Sequence, residues 1–579
     1  MTVTAGGPAA TAVSVGPSAQ CTAPAERFVR HHALIGLSAG CAMAEAILLL
    51  LLAPAAVSLA PQVTALPPLA VFHDLRWLFG YNRSWVEFAA GALLLVLARS
   101  ALDTALVRLA WPRGQQRPRL AATFSASLGF TLLAGLLLVP IVTLVFGVAV
   151  LPFSWPFLAA VPVLLAVTVP LSHGGVTLAW WRRLPPGRGA GWVIACFVEY
   201  SLLGIALPRL PAAGVVAAAG LAGVVNARAW YGLTTAMARP VRPRHYRLLG
   251  WIPVAPVAAV GVFAVAIGAA RLIFDAAAAA PHVGIAAASS AGLAAAASSV
   301  GDLATPQSPV YARGQERAVL IIAGFGASCC RTGRGLQQAV PDMLVQQFSY
   351  LGLNRAGKPV PQGPAASNMP LPQLGDMIAT QVQRLHAQTR QPVDLVAESE
   401  GTLGVYAAFA RHPGLAAGSV VLLSPIVAPG QWTFPQDGQQ GQAMAAGYAL
   451  GVLDRLVGEM SPFGAAGADR LIDSVSRVGA RYAAEAARGI SRHWLALVPL
   501  ADAVTLPACS LPQNVLVVPA FHGGLLGDPP VLGMVRDFLR DRPVDGGQGL
   551  REAAELLSSA AAAWRMPARS APSPPCPAA

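Results

Sequence analysis

Seven long apolar stretches in the first half of the chain constrain its fold more than any other feature. Each is near the roughly 20 residues that a helix needs to cross a bilayer. The chain has 12% charged residues and a mean hydropathy of +0.55, whereas soluble domains carry about 25% charged residues. We therefore predict an all-α membrane bundle of about seven transmembrane helices over residues 33–275, after an N-terminal tail at 1–32. The stretches lie at about 33–60, 85–110, 122–150, 153–172, 190–209, 211–236 and 249–273.

Arginines alternate across the segments that connect these stretches. They are frequent before the first stretch and after the second, fourth and sixth, and few in the other loops. Because arginine-rich loops stay in the cytoplasm, we predict a multi-pass protein of the cell membrane with a cytoplasmic N-terminus and an extracytoplasmic C-terminal half. A signal sequence cleaved near Ala60 is an alternative for the first stretch. The arginines concerned are Arg27, Arg30, Arg113, Arg117, Arg119, Arg182, Arg183, Arg188, Arg239, Arg242, Arg244 and Arg247.

The net charge of +13 falls mostly on those loops, and no Lys/Arg-rich run is present. Membrane topology accounts for this charge, so we expect no nucleic-acid partner. Charged residues inside the stretches are costly and often functional. Pairing between helices, or snorkelling of the side chains toward the membrane surface, explains them most simply, and a proton path or a lipid-headgroup pocket is the alternative. Arg99 and Asp103 are four residues apart on one helix face; the others are Glu45, Glu199 and Arg228.

The sequence pattern changes after the last apolar stretch. Residues 276–316 are rich in Ala and Ser, and such tracts insert poorly into membranes, so we predict a linker rather than an eighth span. From Arg317 onward, short apolar runs alternate with helical segments, which is the pattern of a parallel sheet with crossover helices. The predicted strands lie at 318–323, 347–351, 393–397, 419–424, 494–499 and 514–518, and the predicted helices include 373–388 and 401–410.

Ser399 lies between the predicted strand that ends at Ala397 and the helix that begins at Gly401. A serine at such a turn occupies a nucleophile elbow, whose tight geometry requires small flanking residues. Ser38 and Ser290 match the same short pattern or its relaxed form, but no strand precedes either of them. We therefore predict that Ser399 is the reactive serine, with an ordinary loop serine as the alternative.

The C-terminal half also contains an acidic loop and a histidine in suitable places. Asp502 follows a predicted strand in the run Asp-Ala-Val-Thr-Leu-Pro, and His522 follows the last strand in a glycine-rich loop that precedes a helix. With these residues, 317–543 resembles a domain of the α/β-hydrolase superfamily, of the lipase/esterase kind, whose chain order is Ser, Asp, His. The resemblance implies a mostly parallel sheet, with Ser399 as nucleophile, His522 as general base and Asp502 as the acid that orients it.

The resemblance further implies an oxyanion hole and a cap. The backbone N–H groups of Phe325 and Glu400 match the two oxyanion donors of the family. The family places a helical cap in the insert at about 430–490, and an ordinary packed helical hairpin is equally consistent with that sequence. The chain departs from the family pattern at Ala397, where a glycine is usual, and at Glu398, where many lipases carry histidine. Negative charge from Glu398 and Glu400 puts the catalytic efficiency in doubt.

Together these features predict a membrane-bound serine hydrolase that cleaves acyl esters presented at the membrane. Its expected partners are a lipid or other acyl-ester substrate and the bilayer. We expect neither cofactor nor metal, since no cluster has ligand spacing, and the oligomeric state stays open. Alternatives are an acyltransferase with the same triad, or a transport or scaffold protein with a hydrolase-like binding domain. A disulfide from Cys509 to Cys329 or Cys330 is compatible with the sequence. Residues 544–579 are predicted to form a short helix and a disordered tail.

Overall fold

A computed structural model describes two regions of the chain, a helical N-terminal region and a C-terminal region built on a parallel sheet. Residues 239–315, which contain nearly all of the predicted linker, lie outside the described part. The described residues are 18–112, 117–147, 187–238, 316–329, 334–426, 444–449, 452, 469–490, 493–501, 514–544, 548–564 and 567.

The N-terminal region consists of long apolar helices. Among the described residues, four segments are long and apolar enough to cross a membrane, namely Arg30–Leu52, Trp85–Ala110, Gly191–Arg209 and Ala212–Thr235. This indicates a membrane-associated region. The predicted stretches at 153–172 and 249–273 lie outside the described residues. The helices are α1 (Ser18–Leu52), α2 (Pro67–Tyr81), α3 (Trp85–Ala110), α4 (Leu120–Gly147), α5 (Gly187–Ala206) and α6 (Ala212–Ala238).

The first apolar stretch ends earlier than its sequence predicts. Helix α1 ends at Leu52 rather than near residue 60, and Pro54–Leu59 forms a short 3-10 helix. Proline lacks the N–H that would continue the α-helical hydrogen bonds, which explains the break at Pro54. The chain then enters α2, a mostly buried helix that sequence reasoning did not predict.

Charged side chains inside the bundle pair with one another. The predicted neighbour Asp103 lies 3.7 Å from Arg99. The closer partner is Asp74 of α2, which accepts hydrogen bonds of 2.6 Å from Arg99 Nε and 2.8 Å from Arg99 Nη2. Such two-bond pairing satisfies a buried guanidinium better than a single contact does. These contacts favour the pairing interpretation for Arg99 and Asp103.

Six parallel strands form the core of the C-terminal region. In chain order they are β1 (Arg317–Ile322), β2 (Met343–Gln347), β3 (Val393–Glu398), β4 (Ala417–Leu423), β5 (Trp494–Ala501) and β6 (Val515–Phe521). Their order across the sheet is β2-β1-β3-β4-β5-β6. The winding direction therefore changes between β1 and β3. In open parallel sheets, ligands bind outside the carboxyl ends of the strands at such a point.

The second strand is displaced from its predicted position. The sequence favoured 347–351, where aromatic residues alternate with polar ones, but the strand is Met343–Gln347. Phe348 and Tyr350 are buried beyond the strand end, where they belong to the core between the sheet and its helices. The alternation therefore reflects packing of a loop rather than a strand.

Helices cover both faces of the sheet. One face packs against α8 (Leu371–Thr389), α9 (Glu400–Arg411) and α11 (Ala480–Gly489), together with the first part of α13 (Gln548–Ala561). The opposite face packs against α7 (Arg334–Ala339) and α12 (Pro529–Leu539). A helix α10 (Asp469–Ser474) precedes α11 and joins it through the π-helical turn Val475–Gly479.

Part of the predicted insert at 430–490 packs into the same core. Leu471 of α10 and Tyr482 of α11 are buried with side chains of the sheet and of α8 and α9. Ser474 Oγ accepts a hydrogen bond of 2.9 Å from the backbone N–H of Leu371, at the start of α8. In the described residues 469–489, the insert is thus packed helical structure of the domain.

Candidate active site

Ser399 occupies a strained turn between β3 and α9. Its backbone angles are φ 53° and ψ −118°, a conformation that costs a non-glycine residue about 1–3 kcal/mol. Two contacts hold the turn: the Ser399 N–H donates to the Leu423 carbonyl (2.9 Å) and Thr402 Oγ1 donates to the Ser399 carbonyl (2.6 Å). A serine held in a tight strand-to-helix turn is the backbone arrangement of a nucleophile elbow.

Small residues beside Ser399 are required by the packing. A Cβ atom at Gly401 would collide with the carbonyl oxygen of Ile322 in β1. Ala397 is fully buried in β3. The sequence-based requirement for small flanking residues therefore has a direct steric basis, because α9 begins almost in contact with β1.

His522 meets Ser399 across the carboxyl edge of the sheet. The distance between Ser399 Oγ and His522 Nε2 is 2.7 Å. His522 directly follows β6, which is three places from β3 in the sheet. At about 4.8 Å per strand, that is roughly 14 Å, so the loop after β6 must turn back over the sheet to bring the imidazole to the serine.

Glu398 holds this returning loop. Its Oε1 accepts a hydrogen bond of 2.7 Å from the backbone N–H of Leu525. Gly523 and Gly524 have φ angles of 79° and 94°, a region that glycine enters without strain. Successive N–H groups in such a turn form a concave binding site for an anion. The carboxyl group of Glu398, at the end of β3, occupies this site.

The pKa of Glu398 reflects this environment. Burial raises it, and the N–H of Leu525, the charge of His522 and the N–H groups of Gly524 and Leu526 act in the opposite direction. The opposing contacts all favour the carboxylate form. Sequence reasoning treated Glu398 only as a departure from the family pattern, because its partners lie more than 120 residues away in the chain.

The two predicted oxyanion residues belong to two segments that border Ser399. Phe325 is in the loop after β1, and Glu400 is the first residue of α9. A Cβ atom at Gly324 would lie 3.0 Å from Ser399 Cβ and 3.5 Å from its Oγ, so the β1 loop touches the serine. Ser367 Oγ accepts a hydrogen bond of 2.9 Å from the Gly326 N–H and fixes this loop.

The side chain of Glu400 turns away from solvent. It is buried, and its Oε2 lies 3.2 Å from the hydroxyl of Tyr350, which in turn lies 3.2 Å from the Ala323 carbonyl oxygen. Burial raises the pKa of Glu400 well above its usual value, and the Tyr350 hydrogen bond only partly opposes this. Burial therefore shifts the equilibrium of this side chain toward its neutral acid form, which opposes the negative charge that the sequence predicts there.

Asp502, the predicted acid, lies outside the described residues. It directly follows β5, the strand that pairs with β6. Asp473, another aspartate of the C-terminal region, is paired with Arg477 one helical turn away. At the carboxyl end of this strand pair, Ala501 of β5 is paired with Phe521 of β6, the residue that precedes His522.

A second Ser–His–Asp set lies at the amino ends of β4 and β5, opposite the carboxyl ends where Ser399 and His522 meet. Ser419 Oγ is 2.9 Å from His493 Nδ1, and His493 Nε2 is 3.4 Å from Asp541 Oδ1. Ser419 belongs to a regular strand and is 1% exposed. Ser419 therefore has neither a strained turn nor access for a substrate, although it lies at hydrogen-bond distance from a histidine. Hydrogen-bond distance alone thus does not identify a reactive serine. The set provides an internal control for experiments on Ser399.

No protein family model matches the chain, and no curated protein matches it. Among the described residues, no group of three or more His, Cys, Asp or Glu side chains is arranged to hold a metal ion.

Proposed function

We propose that the chain is a membrane-bound serine hydrolase of acyl esters, with Ser399 as nucleophile and His522 as general base. One observation carries this proposal: Ser399 Oγ lies 2.7 Å from His522 Nε2 while the serine backbone is held at φ 53°. A serine is a weak nucleophile until a base takes its proton. The combination of a strained turn and a paired base is the arrangement that this activation needs.

The proposed reaction proceeds through an acyl-enzyme. Ser399 Oγ attacks the carbonyl carbon of the ester while its proton passes to His522 Nε2. The bond to the alcohol then breaks, and the imidazolium returns the proton to the departing oxygen. A water molecule then attacks the acyl carbon and gives its proton to His522. The bond to Ser399 Oγ breaks, the imidazolium returns the proton to Oγ, and the carboxylic acid leaves. We assign Asp502 to the third position, where it would hold the imidazole in the tautomer that presents an unprotonated Nε2.

The developing oxyanion requires preorganised donors. We assign this role to the backbone N–H groups of Phe325, in the loop after β1, and of Glu400, at the start of α9. The N-terminus of α9 adds a favourable dipole. Loss of one such donor typically costs about 3–4 kcal/mol of barrier. The buried, neutral side chain of Glu400 is compatible with this role.

The sheet topology supports the same site. Ser399 follows β3 and the Phe325 loop follows β1, and the winding direction changes between these two strands. Ligand sites of open parallel sheets lie at that position. The order of the chain elements is also consistent with the α/β-hydrolase resemblance of residues 317–543.

We further propose that the catalytic domain faces away from the cytoplasm. It contacts the bundle near the start of α3, through Trp85, and near the end of α5, through Gly204. Arg108 and Arg188 lie at the other ends of these two helices, and arginine favours the cytoplasmic side. In addition, Cys329 is disulfide-bonded, and structural disulfides persist in oxidising compartments outside the cytoplasm.

A fluorophosphonate probe tests the proposed nucleophile on the full-length protein in detergent. The wild type and Ser419→Ala should be labelled and should hydrolyse a short p-nitrophenyl ester. Ser399→Ala should lose labelling, with kcat reduced by up to about 10⁶-fold. Turnover that persists in Ser399→Ala would exclude the assignment. A folded wild type that neither reacts nor turns over would favour a transport or scaffold protein instead.

A further inference from the structure

Helix α13 is shared by the two regions of the protein. Near its start, Leu550 and Ala554 pack into the core formed with the sheet. Beyond its end, Ala563 and Trp564 lie in the core of the membrane-type bundle. A single helix of the last part of the chain therefore connects the catalytic domain to the bundle, and sequence reasoning assigned no contact to it.

Trp564 fills a specific aromatic site in the bundle. It is 1% exposed, and its ring stacks on Phe197 with a centroid distance of 4.6 Å. Its ring also contacts Tyr200 and Phe72, each at 6.3 Å. The indole Nε1–H donates a hydrogen bond of 3.0 Å to Ser201 Oγ. A buried tryptophan with its N–H satisfied gives both large apolar contact and a fixed orientation.

The backbone beside Trp564 is bound as well. The carbonyl oxygen of Ala563 accepts hydrogen bonds of 2.7 Å from Gln62 Nε2 and 3.0 Å from Arg76 Nη1. Carbonyls at a helix end have no partner within the helix, and a cation is favourable there. Both donors are fully buried in the bundle. The buried side chains of Gln62 and Arg76 thus form a specific binding site for the residues at the end of α13.

Glycine at position 204 allows the close approach. A Cβ atom there would lie 2.8 Å from Ala563 Cβ and 2.9 Å from its backbone nitrogen, distances at which one of the helices would have to move. A second contact joins Tyr448 and Trp85, whose ring centroids are 5.3 Å apart. Ala445 and Ala446 are buried in the same bundle core. Two separate points thus fix the catalytic domain.

We propose that α13 and Trp564 form a seat that holds the catalytic domain on the bundle, and that the domain acts there on acyl esters held in the bilayer. This inference rests on the proposed hydrolase function. A seated domain keeps Ser399 at a constant place relative to the membrane, which raises the effective concentration of a membrane-held ester. An ester dissolved in water gains nothing from the seat. The two substrate classes should therefore respond differently when the seat is broken.

The test uses the full-length protein reconstituted in phosphatidylcholine vesicles and two substrates. One is a water-soluble p-nitrophenyl butyrate, and the other is 4-methylumbelliferyl palmitate dissolved in the vesicle membrane. Trp564→Ala should lower turnover of the membrane-held palmitate by roughly tenfold or more, since effective concentration is lost, and leave butyrate turnover nearly unchanged. The matched control is Leu556→Ala, on the same helix but 57% exposed, which should affect neither substrate.

The seat itself has an independent readout. In the double variant Trp85→Cys, Tyr448→Cys, a short bifunctional maleimide should link the two positions, and adding Trp564→Ala should lower the yield of this link. Equal loss on both substrates, or no loss on either, would overturn the inference. Wild-type protein that hydrolyses neither substrate while the link still forms would instead show that the proposed hydrolase function is wrong and that the seat exists without it.

Discussion

Glu398 Oε1 accepts a hydrogen bond of 2.7 Å from the backbone N–H of Leu525, a residue 127 positions away in the chain. Glu398 directly precedes Ser399, and Leu525 lies in the loop that begins with His522. The bond therefore ties the end of β3 to the loop after β6 at the point where the serine and the histidine meet. The residue that departs from the lipase pattern is thus the one that holds the loop of His522, the proposed base.

Replacing Glu398 should impair the chemical step more than substrate binding. Glu398→Ala frees the turn at Gly523 and Gly524, so His522 spends less time at hydrogen-bond distance from Ser399. Hydrogen bonds to charged groups contribute about 1.5–3 kcal/mol, which corresponds to a roughly 10- to 100-fold lower kcat. Steady-state kinetics on a soluble ester should show this loss with KM nearly unchanged.

Glu398→Gln provides the matched control for this positioning role. The amide oxygen still accepts the Leu525 N–H, so the glutamine variant should recover part of the kcat that alanine loses. A purely structural role would instead lower the fraction of folded protein without changing kcat per labelled site. Equal kcat in the alanine and glutamine variants would contradict positioning through this hydrogen bond.

Gly324→Ala should move the nucleophile. The added Cβ would lie 3.0 Å from Ser399 Cβ and 3.5 Å from its Oγ, and a displacement of about 1 Å at a reacting group can cost about 10²-fold in rate. We expect slow fluorophosphonate labelling in a folded protein. Gly414→Ala is the control, since nothing lies within 4 Å of a Cβ there, and it should label at the wild-type rate. Equal labelling of both variants would mean that the β1 loop does not press on the serine.

The central strands of the sheet domain and the turn at Ser399 could be predicted because the local sequence determines them. Strands β3 and β4 are buried on both faces, so they read as nearly continuous apolar runs, and the serine between a strand and a small-residue helix start follows from the same local pattern. Strand β2 was misplaced because it lies at the edge of the sheet. Its middle residues are only half-buried, whereas the buried aromatics next to it imitate a strand.

Contacts between distant residues could not be predicted from the sequence. The roles of Glu398 and Trp564 depend on partners 127 and 363 positions away. Nothing in the run around either residue encodes those partners. Likewise, α2 has no apolar stretch of membrane length, and it is buried because Arg76 and Asp74 find partners elsewhere in the bundle. The local sequence pattern predicts helices and strands, whereas the contacts of Glu398, Trp564 and α2 depend on how those elements pack together.

The orientation of the catalytic domain can be measured with reporters. A phosphatase fused after Gly314 should be active, and a fluorescent protein that matures only in the cytoplasm should be dark at the same position. The physical reason is the arginine alternation, which keeps the loops around Arg117 and Arg188 inside. A dark phosphatase with a bright fluorescent protein would reverse the proposed topology, and the disulfide of Cys329 would then need another explanation.

Asp502→Asn should lower the rate of acylation while the fold and measurable probe labelling persist. An asparagine at the third position favours the wrong imidazole tautomer, and the loss in kcat is about 10⁴-fold in serine proteases. The control is Asp473→Asn, because Asp473 pairs with Arg477 on the helix surface. Stopped-flow acylation with a p-nitrophenyl ester distinguishes the two. Wild-type rates in Asp502→Asn would place the acid elsewhere.

The buried carboxyl of Glu400 should make the protein less stable as the pH rises. Its pKa is raised well above the usual value by burial, so the folded state binds this proton more tightly than the unfolded state does. Its contribution to stability is therefore complete below the unfolded pKa and is lost as the pH rises toward the folded one. Glu400→Gln keeps an acceptor for the Tyr350 hydroxyl but cannot titrate. Its apparent Tm should fall less than that of the wild type between about pH 5 and about pH 9, measured by intrinsic fluorescence in detergent.

Glu485→Gln, on the surface of α11 and 3.9 Å from Arg481, is the control and should follow the wild type. Parallel curves for all three proteins would mean that Glu400 is not held as the neutral acid.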